Sequence, residues 1–341
     1  MPARHRRNNH PSSPPILGGL SIRHKTAKPE IQQLRAVNNR GIIVKLGAQK
    51  IPVANGLRAS LTVSVAMHRK GPDLVLKQYE IWDMHGHIFP AKIADKAAQA
   101  IGEFYEMPMR YEGDSTRIIE SGARIGLSRQ LVCSSATTPA QVQSINDFIA
   151  AQCKEHPQFI GFGALHPDME DAETEIQRIQ SMGLVGVKLH PDFQRFAIDT
   201  PRAVELYRQI SAYGLPVLFH TGDIRFDYSS PRRLANAMDR VPNLVAIAAH
   251  FGGYTEWELV PECLNRPNVW FDTCSTLAFM DKDRAVQLIR TLGSKRFFFG
   301  VDFPMWDHKE ELERFLALPL TEAEREDILC RNAKRFLAEI T

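Results

Sequence analysis

The chain has 341 residues, 44% hydrophobic and 24% charged, the composition of an ordinary globular protein. No apolar run reaches the roughly 18–20 residues of a membrane span. The five cysteines (Cys133, Cys153, Cys263, Cys274, Cys330) are scattered without a CxxC pair, which excludes a disulfide framework and a cysteine zinc knuckle and reads as reduced thiols in a cytoplasmic protein. The formal net charge of +3 conceals two unlike parts: residues 1–80 hold 14 Lys and Arg against 3 acids, and the remainder holds 28 against 36.

The chain opens "MPARHRRNNHPSSPPILGGLSIRHKTAKPE", without an acid until Glu30. Transit peptides are basic and acid-poor, but the prolines at 2, 11, 14 and 15 break the amphipathic helix such a peptide needs. An arm for nucleic acid would interleave aromatic residues for stacking, and none is present. A disordered basic tail is the plainest reading. Two β-prone runs within residues 41–66, on either side of "PVANG", predict a hairpin or strands added beside the main domain. Alternatively, much of residues 1–75 is a leader the fold does not need. The expected organisation is a basic, partly disordered extension over residues 1–78 and a main domain over residues 79–341.

From residue 80 a regular beat begins. Short runs rich in Val, Ile and Phe predict strands at 80–87, 129–134, 159–165, 185–190, 216–221, 243–250, 268–273 and 297–302. Helical periodicity lies between them at 138–154, 170–182, 202–213, 231–240, 254–265 and 283–293, with two closing helices at about 307–317 and 321–338. The last opens with the capping box "TEAE", Thr321 as N-cap and Glu324 at the third position. Eight strand–helix units predict an α/β fold, a (β/α)8 barrel. A doubly wound sheet also alternates; what favours the barrel is where the polar residues fall.

Barrel enzymes carry their chemistry at the C-terminal ends of the strands. Here "IWDMHGHIFP" ends the first strand with His85 and His87, "GVKLHP" the fourth with Lys188 and His190, "LFHTG" the fifth with His220, "AAHFGG" the sixth with His250, and "GVDFP" the eighth with Asp302. Alternation sends Asp83, His85 and His87 to one face, pairs Lys188 with His190, and lets Asp302 face inward with Phe298 and Gly300. Imidazoles with a carboxylate are the donors of a catalytic zinc site that keeps a position for water, and they also suit Fe, Mn, Co or Ni. A further histidine shuttles protons or holds an oxyanion. His166 lies one residue further past its strand and reads as structural or rim; His5, His10, His24, His68, His156 and His308 have no such placement.

With those residues in view, the chain resembles the amidohydrolase superfamily, and within it the branch that includes aminocarboxymuconate-semialdehyde decarboxylase and related aromatic-acid decarboxylases. The resemblance covers about residues 80–338 and rests on "DMHGHIFP", "GVKLHPDFQRF", "PVLFHTGD", "VAIAAHFGG", "VWFDTCS", "FFFGVDFP" and "ILCRNAKRFL". It implies that His85, His87, His220 and Asp302 bind a metal, that His250 is an acid/base beside it, and that Asp302 also takes a proton from water. Binuclear members carry a carboxylated lysine on strand four. Lys188 sits at a comparable place, whereas the decarboxylase branch lacks that lysine and is mononuclear. This chain keeps the lysine and adds His190, both candidates for a further metal or the substrate, so one Zn2+ per chain is favoured with a binuclear site left open. The implied activity is hydrolysis of a C–N or C–O carbonyl bond of a small molecule by metal-activated water. The alternative is non-oxidative decarboxylation of a small carboxylic acid, aromatic or not; a third reading is a non-catalytic barrel that binds a ligand or a partner protein. Arg195 and Arg225 follow strands four and five and are placed to meet a carboxylate. Phe89, Phe193, Phe226, Tyr228 and Trp306 are placed to line a pocket. The expected partner is a small-molecule substrate, with neither nucleic acid nor membrane; a homodimer is allowed but not specified.

Overall fold

Three strands come first in the computed structural model, β1 (Leu34–Val37), β2 (Ile43–Ile51) and β3 (Arg58–Ser64), in an antiparallel sheet of order β1-β2-β3. β2 and β3 are the hairpin anticipated around "PVANG", paired from Lys45↔Ser64 to Ile51↔Arg58. Apart from these strands the structure describes residues 79–340; the basic tail expected over the first thirty residues lies outside the described residues. Two compact units divide the chain, Met1–Lys70 and Gly71–Thr341.

The second unit is built on parallel strands where the alternation placed them: β4 (Ile81–Asp83), β5 (Leu127–Val132), β6 (Phe159–Gly161), β7 (Gly163–Ala164), β8 (Val187–Leu189), β9 (Val217–Phe219), β10 (Ala246–Ala248), β11 (Val269–Asp272) and β12 (Phe297–Phe298). β6 and β7 are one expected strand broken at Phe162: its first half pairs with β5 and its second with β8. The circle closes between β12 and β4, where Met84 N–H donates to Phe299 O (2.9 Å), Asp302 N–H to His85 O (2.8 Å) and His87 N–H to Phe303 O (2.7 Å). The fold is a TIM barrel.

Period-two alternation sorts the core. Leu131, Phe162, Leu218, Ile247, Trp270 and Phe298 fill the barrel, while their strand neighbours Val132, Val217, Phe219, Ala246, Ala248, Phe271 and Phe297 pack with the helices. The last helix closes the floor: Phe336 meets the stacked rings of Trp270 and Phe298 at 5.0 and 5.3 Å. That helix starts at the expected Thr321–Glu324 capping box and runs through Glu322–Glu326, a π-turn at Asp327–Arg331, and Asn332–Ile340. A π-turn frees a backbone carbonyl from the helical ladder, and here Ile328 O accepts from Phe299 N–H at 2.8 Å, tying the helix to the end of β12.

Helices Val142–Glu155, Ala172–Ser181, Pro201–Ala212, Pro231–Arg240, Lys282–Leu292 and His308–Leu316 match the periodicity. Thr200 and Ser230 cap their helices, each followed by a proline at the first position where its missing N–H costs nothing. The span expected at 254–265 is instead a turn at Trp257–Leu259 and a short helix, Val260–Cys263. Three helices were not anticipated: Ala91–Tyr105, Ser115–Ala123 and Pro191–Gln194. The first buries Ala94, Ala98 and Gly102, a stripe at helical spacing made of small residues, so a search for recurring large apolar side chains passes over it. No helix among the described residues is long and apolar enough to cross a membrane.

Candidate metal centre

β4 ends abruptly because Asp83 accepts the N–H of His85 on Oδ1 at 2.9 Å, an Asx-type bond two residues on that competes with the ladder. This corrects the expectation that Asp83, His85 and His87 share a face. Met84 points into the barrel core, whereas Asp83 turns toward the helices, where it accepts from Gln130 Nε2 (2.7 Å) and Val301 N–H (3.0 Å) and lies 3.1 Å from His308 Nε2. His308 is therefore also re-placed. It is fully buried between Asp83, Gln130 and Ser121, a brace behind the first strand that its position at a helix start does not reveal.

The irregular backbone after Asp83 brings His85 and His87 together over the mouth, their Nε2 atoms 3.2 Å apart. Asp302 Oδ1 lies 3.2 Å from His87 Nε2 and 3.7 Å from His85 Nε2. Donor atoms sharing one ion at bonds of about 2.0–2.2 Å stand roughly 3–3.5 Å apart, so this triad fits a divalent cation. Ser275 Oγ donates to Asp302 Oδ2 at 2.6 Å and itself accepts from Trp306 Nε1 at 2.9 Å, which leaves Oδ1 for the histidines. Trp306, expected as a pocket wall, thus orients Asp302 through Ser275.

Behind the triad stands a residue pair from β11 and its end that the sequence reading did not single out. Asp272 Oδ2 lies 2.7 Å from His85 Nδ1, and Oδ1 accepts from the backbone N–H of His250 (2.8 Å) and from Cys274 Sγ–H (3.0 Å). Cys274 Sγ is 3.2 Å from both His85 Nδ1 and His250 Nδ1. A carboxylate on Nδ1 puts the ring proton there and leaves His85 Nε2 bare for an ion. The inward parity of Trp270, Asp272 and Cys274 was a usable signal.

Alternation alone would turn His250 outward, since Ile247 and Ala249 occupy the inward positions. Left-handed backbone at His250 (φ 61°) and Phe251 (φ 56°) re-aims the ring, and His250 Nε2 comes to 3.0 Å from His220 Nδ1. His220 does not join the close triad; its donors group instead with those of His190 and Asp192. His220 Nε2 is buried and, among the described residues, has no hydrogen-bond partner. His190 lies flat on His220 (4.0 Å, 10°), and Phe193 lies flat on His190 (3.7 Å, 6°). Tyr105, from the unanticipated helix, sets its hydroxyl 3.0 Å from His190 Nε2. Lys188 is 1% exposed with Nζ 3.3 Å from His85 Nε2.

The rim departs further from expectation. Arg225 holds Asp223 through Nε (2.9 Å) and Nη2 (2.7 Å), and donates from Nη1 to Phe104 O (2.7 Å). Its guanidinium is spent on the loop and stacks over Phe104 and Tyr105, so it is not free for a substrate carboxylate. Arg195 is exposed in left-handed conformation at the end of Pro191–Gln194. Phe89 packs on Gly113. Phe226 stacks on Phe104 at 5.3 Å, and Tyr228 on Phe226 at 6.4 Å. His166, expected as structural or rim, is buried (4% exposed), and its Nδ1 accepts from Asp168 N–H at 3.1 Å.

Electrostatics agree with the geometry. Burial by itself would raise the Asp302 carboxyl, but the surrounding histidines, His85 first, hold it well below the usual carboxylate range. Burial pulls His250 down to about 4 and holds His220 and His190 well below the ordinary imidazole value. At His87 burial is outweighed by the Cys133 sulfur and Asp302, and the pKa rises to about 9. The pull on a proton between His87 and Asp302 is the pull a cation would feel there.

A family model described as amidohydrolase matches residues 82–338. No curated protein matches the sequence. Among solved structures, an uncharacterized TIM-barrel protein from Bordetella bronchiseptica is 22% identical, with 76% of this chain and 99% of that one covered at a TM-score of 0.65. A dihydroxybenzoic acid decarboxylase from Polaromonas sp. JS666, solved with manganese and the inhibitor 2-nitroresorcinol, is 16% identical (76% and 97% covered, TM-score 0.60). The 5-carboxyvanillate decarboxylase of Sphingomonas paucimobilis is 16% identical (77% and 100% covered, TM-score 0.62). These likenesses carry the barrel fold, and a family match running from the strand before His85 to the helix that plugs the floor carries the rest: the chain belongs to the amidohydrolase family.

Proposed function

We propose that this protein is a metal-dependent, non-oxidative decarboxylase of a small carboxylic acid with an aromatic or similarly flat ring. His85, His87 and Asp302 would hold a divalent metal, with His220 the fourth donor side chain of the mouth. Imidazole and carboxylate suit zinc and manganese alike. The carrying observation is the tight donor triad of His85, His87 and Asp302, with the amine of Lys188 standing 3.3 Å from one of its nitrogens. One ion beside a buried cation suits an anionic substrate better than a binuclear hydrolytic centre bridged by a negatively charged lysine adduct. The decarboxylase neighbours, one holding manganese, support the same reading.

A bound metal supplies an electrophile that grips and polarises substrate oxygens. The residues do the rest. Asp272 holds the backbone N–H of His250 and Cys274 sets its sulfur against His250 Nδ1, so Nε2 faces the mouth as the proton carrier. His250 takes a proton from a substrate hydroxyl and returns it to the ring carbon as the bond to the carboxylate carbon breaks and CO2 leaves. The Phe193–His190–His220 stack offers a flat surface for a ring. Hydrolysis of a C–N or C–O bond is the second reading, favoured by the family match itself; there Asp302 and His250 would accept the proton of the attacking water.

The test is product analysis. Protein loaded with manganese or zinc is incubated with 2,6-dihydroxybenzoate and 5-carboxyvanillate, and CO2 and the decarboxylated phenol are measured. Release of both in equal amounts supports the proposal. No CO2 from either acid, with turnover of lactone or amide substrates by the same preparation, would replace it with hydrolysis.

A further inference from the structure

Lys188 and Tyr105 share a side of the mouth. Lys188 lies on β8 and His190 just past its end, two residues on, and Tyr105 reaches His190 from above. Lys188 is buried, and among the described residues no carboxylate forms an ion pair with it; its hydrogen-bond partner is the bare Nε2 of His85. A metal on that nitrogen would take this partner away and leave two positive charges adjacent. Buried ammonium groups are tolerated only when paired. The position therefore calls for an anion.

Tyr105 supplies a matching donor. His190 Nδ1 accepts the N–H of Phe193 at 3.3 Å, so the ring proton of His190 sits on Nε2 and is donated to the Tyr105 oxygen. The tyrosine's own proton is then free to be donated. No second partner takes it among the described residues, although the ring is held by Phe193, His220 and Tyr254 at about the same distance, 5.9, 6.1 and 6.0 Å. The arginines near the mouth do not compete for an anion: Arg225 is closed on Asp223 and Phe104, and Arg195 is exposed.

We propose that Lys188 and Tyr105 are the carboxylate-recognition pair of this mouth, the ammonium from the barrel strand and the hydroxyl from helix Ala91–Tyr105 closing on one substrate carboxylate. This rests on the decarboxylase reading above and names its substrate determinant. It predicts that an acid binds and its neutral ring counterpart binds weakly.

The experiment is calorimetric titration of the full, manganese-loaded chain with 2,6-dihydroxybenzoate and with resorcinol, for the wild type, Lys188→Met and Tyr105→Phe. Metal content is measured on each. The wild type is expected to prefer the acid. Lys188→Met should weaken the acid about 10- to 100-fold and Tyr105→Phe about tenfold, the scale of hydrogen bonds to a charged group, with resorcinol binding and metal content unchanged. Tyr105→Phe removes one oxygen and keeps the ring, so it stays informative if the lysine variant folds poorly. Acid binding unchanged in Tyr105→Phe, or a Lys188 bearing a mass increment of one CO2, would overturn the pairing while leaving decarboxylation standing. Wild type that binds neither probe would remove the aromatic-acid reading and the pair with it.

Discussion

On the β4, β11 and β12 side of the mouth each metal-type donor is tied from behind. His85 has Asp272, Asp302 has Ser275 and Trp306, and the strand that carries His85 has Asp83, Gln130 and His308. On the β8 and β9 side the rings of Phe193, His190 and His220 lie flat on one another, and among the described residues polar atoms are left without a hydrogen-bond partner, His220 Nε2 and Asp192 Oδ1 among them. The first wall spends its hydrogen bonds on fixing directions, which is what an ion needs, because coordination tolerates small errors poorly. The second wall keeps surface and unfilled polar atoms, which is what a ligand that comes and goes needs. Asp192 illustrates the difference: with Oδ2 held by Ser229 and Oδ1 unpartnered, burial carries its pKa up to about 7, whereas Asp302 across the mouth is held down by histidines.

The largest expected effect breaks the first wall. Asp302→Ala should lose both stoichiometric metal and turnover, read by elemental analysis of protein purified without chelators. His220→Ala tests where one wall ends: the expected result is loss of bound metal with the barrel still folded by circular dichroism, and full retention would assign His220 to the ligand side alone. Next, His250→Ala should keep the metal and lower turnover by about 10²–10⁴-fold, the usual scale for a general acid/base. An unchanged rate would take His250 out of the chemistry. Asp272→Asn keeps the shape but weakens the hold on His85, and metal affinity in a chelator competition should fall by about 10- to 100-fold. Affinity equal to the wild type would show that Cys274 suffices to orient the ring.

The smallest effect concerns stability and lies outside both walls. Glu311, on helix His308–Leu316, is buried with Oε2 lacking a hydrogen-bond partner among the described residues, and burial raises its pKa from 4.5 to about 7 despite Arg314. A folded-state pKa above the unfolded one means that the contribution is complete below about 4.5 and is lost as pH rises through about 7. Glu311→Gln should therefore lose less stability than the wild type between pH 5 and 8, compared by urea unfolding; parallel curves would show that Arg314 already compensates the charge.

Much of this was legible because it is local. Alternation of two along a strand and 3.6 along a helix is written in neighbouring residues, so the strand positions, the floor-plugging helix and its capping box follow from short windows. The polar strand ends follow too: His85, His87, Lys188, His190, His220, His250 and Asp302 all reach one mouth. Local exceptions defeated the same rule. The Asx bond at Asp83 reverses a face, and left-handed backbone at His250 rescues a ring that parity sends outward. The helix Ala91–Tyr105 hid behind its small residues, and Tyr105 with it.

What the sequence determined by itself is the alternating strand–helix order and the chemical type of the residues at the strand ends, because burial of apolar surface at fixed period leaves little other choice. The tertiary structure decided which of those residues meet. It placed Asp272 and Cys274 behind two histidines, set His308 under Asp83, closed Arg225 on Asp223, and left Lys188 without a carboxylate partner among the described residues. Those are contacts between residues up to 225 positions apart, from His308 back to Asp83. Their strength depends on angles and distances of a few tenths of an ångström that only the closed barrel sets, which no spacing along the chain encodes.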